Sequence, residues 1–199
     1  MKLFSQLVRN FKMLKNPNKY AKSIGVNLSE NTILLGRTNW GSEPWLISIG
    51  NYTRLSKNVT FWNHDGGVSV ARRINEKYKN VVKFGFISIG DNCFIGANVT
   101  ILCNVSIGDN CVIGACSLVT KDVPSGEVWA GVPAKKICNI EDYAEKLLLI
   151  SANYDPTNLK KNKKEETINI SEWFLKIKQG VALNGHSYSS NKKETNVEK

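Results

Sequence analysis

IGDNCFIGANVTILCNVSIGDNCVIGACSLV, residues 89–119, sets an aliphatic side chain at every sixth position: Ile89, Ile95, Ile101, Ile107, Ile113 and Val119. A period of six is neither the 3.6 of a helix nor the two of a simple strand, so the stretch reads as an internal repeat. Four positions after each aliphatic comes a second small or apolar residue: Cys93, Val99, Val105, Cys111, Ser117 and Val123. Two inward residues per six suit a short strand plus a turn, stacked as one side of a three-sided prism. Three sides close one turn every 18 residues, which stacks Ile89 on Ile107, Ile95 on Ile113 and Ile101 on Val119.

The turn residues agree with that reading. Gly90, Gly96, Gly108 and Gly114 follow the aliphatic position, and Asn92, Asn98, Asn104 and Asn110 share one phase. Gly and Asn tolerate the positive φ that a corner every six residues demands. Upstream, Ile49, Leu55 and Phe61 continue the phase. Coils begin near Asn31 and are clear from Ile47. The phase breaks over residues 62–86 and resumes at Ile87. A long insertion in a compact repeat usually serves function.

The organisation expected is a basic helical lead-in at 1–28, the repeat domain at 29–137 with its loop at 62–86, a helical extension at 138–184 and a disordered tail at 185–199. Phe4, Leu7, Val8, Phe11 and Leu14 fall at helical spacing among Lys2, Arg9, Lys12 and Lys15. That face either packs on protein or touches a membrane surface. In the C-terminal part, the run from Lys160 to Glu166 reads as a charged linker, and a last helix is expected from Ile170, capped by Ser171.

The formal charge of +10 raises the question of nucleic acid. However, no Lys or Arg lies between Phe84 and Thr120, and no nucleic-acid-binding pattern accompanies the charge, so no nucleic-acid partner is expected. The basic flanks suit the phosphates of a nucleotide cofactor. Five cysteines show no C-x-x-C spacing; Cys93 and Cys111 sit in the inward column as core thiols. No secretory signal or membrane-spanning run is apparent, so a cytoplasmic location is expected.

The four glycine-bearing hexapeptides, with Val119-Thr-Lys-Asp-Val-Pro124 and Trp129-Ala-Gly-Val-Pro-Ala-Lys135, resemble the hexapeptide-repeat acyltransferases. The resemblance covers roughly residues 29–137. It implies an all-β fold, a left-handed parallel β-helix with helical flanks, although left-handedness runs against the usual right-handed crossover. It also implies acetyl-CoA as co-substrate, a homotrimer and active sites between subunits.

Acetyl transfer to a hydroxyl needs a base effective near neutrality, which suits imidazole. The chain has two histidines, and His186 lies in a polar tail. His64 stands in Trp62-Asn-His-Asp-Gly-Gly67, where the family carries its catalytic histidine at the base of a loop. Asp65 either orients the ring, holds the sugar, or only shapes the turn with Gly66 and Gly67. The resemblance assigns Ala97 and Ala115, one coil apart, as backbone N–H donors to the thioester carbonyl. It assigns Thr120, Lys121, Trp129, Gly131, Ala134, Lys135 and Lys136 to the rest of the CoA channel, the lysines meeting phosphates. Trp129 either packs on the pantetheine or adenine, or is an ordinary packing residue. Trp40-Gly-Ser-Glu-Pro-Trp45 resembles the subgroup that O-acetylates sugars in bacterial capsule and surface-polysaccharide synthesis. Glu43, Trp62, Asn63, Arg72 and Arg73 are then the acceptor-binding candidates. Other acceptors in view are an antibiotic or another small alcohol, and the rival class is a non-catalytic β-solenoid. A zinc enzyme of the same architecture needs three histidine ligands, so no metal is expected.

Overall fold

Ile89 pairs with Ile107, Ile95 with Ile113 and Ile101 with Val119, each in parallel register. The computed structural model describes residues 13, 15–151 and 154–179. Strands β1 (Asn27–Leu28), β4 (Ile47–Ile49), β7 (Ile87–Ile89) and β10 (Val105–Ile107) form one parallel sheet. β2 (Ile33–Leu34), β5 (Arg54–Leu55), β8 (Phe94–Ile95) and β11 (Val112–Ile113) form the second, extended by β13 (Glu127–Ala130) and the antiparallel β14 (Lys135–Asn139). β3 (Thr38–Asn39), β6 (Val59–Trp62), β9 (Thr100–Leu102) and β12 (Leu118–Val119) form the third. Up to β12, consecutive strands visit the three sheets in turn, so the chain coils with one sheet per side.

Both inward residues of each hexapeptide from Ile89 to Val123 are buried, and all but Ser117 belong to one continuous apolar column. Burying that column drives the coil, because no single six-residue strand could shield its own apolar face. Cys93 and Cys111 lie in it one coil apart, and the Cys111 amide reaches the Cys93 sulfur at 3.4 Å. At the corners Asn58, Asn92, Asn98, Asn104 and Asn110 all have φ between 53° and 61°. Tyr52 and Cys116 hold the same conformation without the Asn side chain that eases it.

The coil reaches back to β1, with Leu28, Leu34 and Trp40 as its buried inward residues. Its register to the next coil is 21 residues, Leu28 opposite Ile49 and Leu34 opposite Leu55. The added length is taken up at the corner containing the 3-10 turn Pro44–Leu46. The Trp40 ring stacks on Phe61, centroids 5.2 Å apart and planes 5° from parallel.

Helices accompany the sheets, so the protein is not strictly all-β. α1 (Pro17–Ser23), capped by the Asn16 side chain, precedes the first coil. The insertion leaves after Trp62, which still belongs to β6, and carries α2 (Val68–Ile74) and a 3-10 turn at Glu76–Tyr78. It is drawn closed at its root, where His64 bridges Phe84 and the Gly85 amide donates to Asn63 O at 3.0 Å. α3 (Ile140–Ile150), α4 (Pro156–Lys161) and α5 (Lys163–Lys178) follow.

The chain divides into two units, Met1–Tyr143 and Ala144–Lys199. In the second, the charged run from Lys160 is helical rather than a linker. Asn162 caps α5 at the Glu165 amide, while Ser171 lies inside that helix with its hydroxyl on Thr167 O. Buried Glu166 accepts from the Asp155 amide at 2.9 Å. The apolar face expected at Phe4–Leu14 and the tail at 185–199 with His186 lie outside the described residues. Among the described residues, no helix is long and apolar enough to cross a membrane.

Candidate active site

His64 is the first residue past Asn63 at the root of the insertion, and its Nδ1 lies 2.9 Å from Glu43 Oε2. Both side chains are partly buried, 31% and 18% exposed, so the contact is shielded more than a surface pair. Among the described residues Nε2 has no partner. The two line a cavity of about 380 Å³ with Ser42, Asp65, Ser69, Arg72, Lys83 and Phe84. Glu43 is carried by the lengthened corner of the first coil, and Asn63 fixes that corner. Asn63 is fully buried; its Nδ2 donates to Trp40 O at 3.1 Å and to Glu43 O at 2.8 Å. It therefore supports the cavity wall from behind instead of facing an acceptor.

Asp65 makes no hydrogen bond to the histidine ring among the described residues. Its Oδ1 accepts from the Gly67 amide at 2.8 Å and its Oδ2 meets Lys83 Nζ at 2.9 Å. Of the roles left open for it, turn shaping matches these contacts. Lys83 and the Gly67 amide hold the Asp65 carboxyl below its usual range, and Asp65 holds the Lys83 ammonium above its own, so both are charged at neutral pH. Arg72 donates from Nε to Val81 O at 2.8 Å and lines the cavity. Trp62 and Arg73, both exposed, are not among its lining residues.

The donor candidates sit at another corner, where the amides are not capped as they are after the first sheet. After β4, β7 and β10 of the first sheet, the N–H following the corner is capped by a side chain of the next coil. Asn51 N donates to Asp91 Oδ1 at 2.6 Å, Asp91 N to Asp109 Oδ1 at 2.7 Å, and Asp109 N to Ser125 Oγ at 2.9 Å. After the second sheet, alanine replaces aspartate at that phase. Among the described residues, neither the Ala97 nor the Ala115 amide has an acceptor. The Lys57 and Lys121 amides, at the same phase of other hexapeptides, are also without an acceptor among the described residues. The stacked Ala97 and Ala115 N–H groups are therefore available to an oxyanion but share that state with other corners.

The segment after β12 covers the same edge. Trp129 pairs with Ile113, the Gly131 amide donates to Ser117 Oγ at 3.1 Å, and the Ala134 amide to Leu118 O at 2.8 Å. Ala97, Ala115, Trp129, Gly131 and Ala134 thus gather on consecutive layers. Trp129 is buried, with Nε1 donating to Glu127 Oε2 at 2.7 Å, which favours packing over an exposed ring for stacking. Lys121 lies over that indole, 5.3 Å from its centroid. Lys136 is paired with Glu127 at 2.7 Å, whose carboxyl is thereby held below its usual range. Thr120 and Lys135 are exposed, and Lys135 has no ion-pair partner among the described residues.

Residues 86–121 match the family described as bacterial transferase hexapeptide (six repeats). Protein CapG of Staphylococcus aureus is 47% identical over 129 residues, 64% of this chain and 73% of that one. The chain belongs to the bacterial hexapeptide-repeat transferases. The galactoside O-acetyltransferase of Escherichia coli is 41% identical over 101 residues, but only 50% of this chain and 47% of that one are covered. A solved galactoside acetyltransferase in complex with coenzyme A superposes at a TM-score of 0.47 and 24% identity, over 71% of this chain and 82% of that one. That superposition adds nothing to the sequence match.

For a hexapeptide-repeat transferase, the informative departure from the sequence reading is Glu43. It was expected at the acceptor, and the structure sets it on the histidine. The separation of Glu43 and His64 is 21 residues, the same as the register of the first coil, which is the signal that could have paired them.

Proposed function

We propose that this chain transfers acetyl from acetyl-CoA to a hydroxyl of a sugar, in bacterial surface-polysaccharide synthesis on the cytoplasmic side. The observation that carries the reading is His64 held through Nδ1 by Glu43 in a cavity, with Nε2 unpartnered among the described residues. The likeness to a galactoside O-acetyltransferase supports an acetyl donor. His64 Nε2 takes the proton of the acceptor hydroxyl as its oxygen attacks the thioester carbonyl carbon. The Ala97 and Ala115 amides donate to the oxyanion. When the tetrahedral intermediate collapses, the C–S bond breaks and the imidazolium returns the proton to the CoA thiolate. The acetyl ester forms with no covalent enzyme intermediate.

Within one chain, His64 follows a strand of the third sheet and the alanines follow strands of the second. The reading therefore joins them across neighbouring subunits of a trimer of left-handed coils, as the family resemblance implies. Lys121 and Lys135 would meet phosphates of CoA.

The test is thiol release from acetyl-CoA against sugars, sugar nucleotides and polysaccharides. Acceptor-dependent release is expected. A protein that neither binds acetyl-CoA nor releases thiol would be a non-catalytic solenoid. Glu43→Gln keeps the shape of the side chain and removes its charge. It is expected to lower kcat by roughly tenfold or more while KM for acetyl-CoA stays put. An unchanged kcat would mean that the His64–Glu43 contact is incidental.

A further inference from the structure

We propose that the acceptor bound beside His64 carries an anionic group, a carboxylate or a phosphate, and that Arg72 selects it. This rests on the acceptor site proposed above. Five ionisable side chains line the cavity, and four of them are mutually satisfied. His64 meets Glu43 at 2.9 Å, and Lys83 meets Asp65 at 2.9 Å. Arg72 is left over: among the described residues no carboxylate pairs with it. Its guanidinium is therefore the one ionisable group of the lining without an ion-pair partner among the described residues.

An exposed arginine is ordinarily just solvated. Arg72 differs because it is anchored. Its Nε donates to Val81 O at 2.8 Å, which ties α2 to the returning arm of the insertion and fixes the plane of the guanidinium. Anchoring through Nε leaves the Nη groups as donors, and a guanidinium edge matches the two oxygens of a carboxylate or phosphate. Ser69 lies three residues earlier on α2, hence on the same helix face, and also lines the cavity. Ser42 faces it from the first coil's corner. Hydroxyls beside a fixed cation suit a hydroxylated ring bearing an acidic substituent. Arg73 carries the same charge one position on, outside the cavity lining, and so supplies an internal control.

Calorimetry in saturating CoA would compare glucose, glucuronate and glucose 1-phosphate on wild type, Arg72→Ala and Arg73→Ala, with thermal melts to confirm folding. At least one anionic sugar is expected to bind about tenfold or more tightly than glucose to wild type and to Arg73→Ala. That advantage should vanish in Arg72→Ala and shrink at high salt. Which of the two anions gains tells a carboxylate-bearing acceptor from a phosphate-bearing one. Equal affinities for all three sugars, including no measurable binding of any, would overturn the proposal. So would an equal loss in Arg73→Ala, which would indicate a diffuse field. Weakened acetyl-CoA binding in Arg72→Ala, measured without CoA, would also overturn it by assigning the arginine to the donor. Acetyl transfer itself is read separately by thiol release and its dependence on His64, so failure of that chemistry is distinguishable from failure of the charge selection.

Discussion

His64→Ala is expected to lower kcat for acetyl transfer by about 10²–10⁴-fold while acetyl-CoA affinity changes by no more than about a factor of two. No neighbour can take over. Asp65 is held in its charged form below the usual carboxylate range by Lys83, so it is too weak a base at neutral pH. Lys83, pushed up by the same pair, keeps its proton. Glu43 lies in the cavity wall, carried by a corner that Asn63 fixes from behind, with its carboxylate set at Nδ1 and not at Nε2. The substitution leaves the fold intact, because the imidazole is 31% exposed and lies outside the apolar column. Free imidazole should restore part of the activity by entering the space the side chain vacates. A variant that keeps activity within about tenfold of wild type would place the base elsewhere.

The repeat from Ile89 to Val119 was legible because its physics is local: every inward position is filled, and every corner except that at Cys116 has an Asn that accepts positive φ. The first coil was less so. Leu28, Leu34 and Trp40 keep the six-residue step, but the next inward aliphatic in phase, Ile49, comes nine positions after Trp40. A count of period six stops there, although the backbone simply takes a longer corner. The same corner hid the partner of the histidine. Asn63, singled out for its place beside His64, proved to be a buried clamp, since polarity in a sequence does not tell which way a side chain faces. Nor does adjacency separate Arg72 from Arg73; helix geometry does, by turning successive residues about 100° apart. Ala97 and Ala115 were found through resemblance, and the structure adds a physical distinction, the absence of the aspartate cap that closes the equivalent amides one corner away.

Phe61→Ala is expected to cost about 3–5 kcal/mol of stability and, where the variant is still folded, to depress kcat as Glu43→Gln does. Phe61 is fully buried, paired with Ile101 across the third sheet, and forms the surface on which the Trp40 ring lies flat. Removing the ring leaves a void that the rigid coil cannot close, and an indole with no partner on that side. The damage then runs along the chain. Trp40 O is one of the two acceptors of Asn63 Nδ2, and the other is Glu43 O, so the stack, the clamp and the carboxylate on His64 form one physical series. Ile107→Val, in the column of the first sheet, should cost only about 0.5–1.5 kcal/mol and leave kcat alone. Denaturant unfolding and steady-state kinetics on the two variants separate a general loss of packing from a local one. If Phe61→Ala lost stability but kept wild-type kcat, the first-coil corner would hold Glu43 without the aromatic stack, and Asn63 alone would account for the geometry of the base.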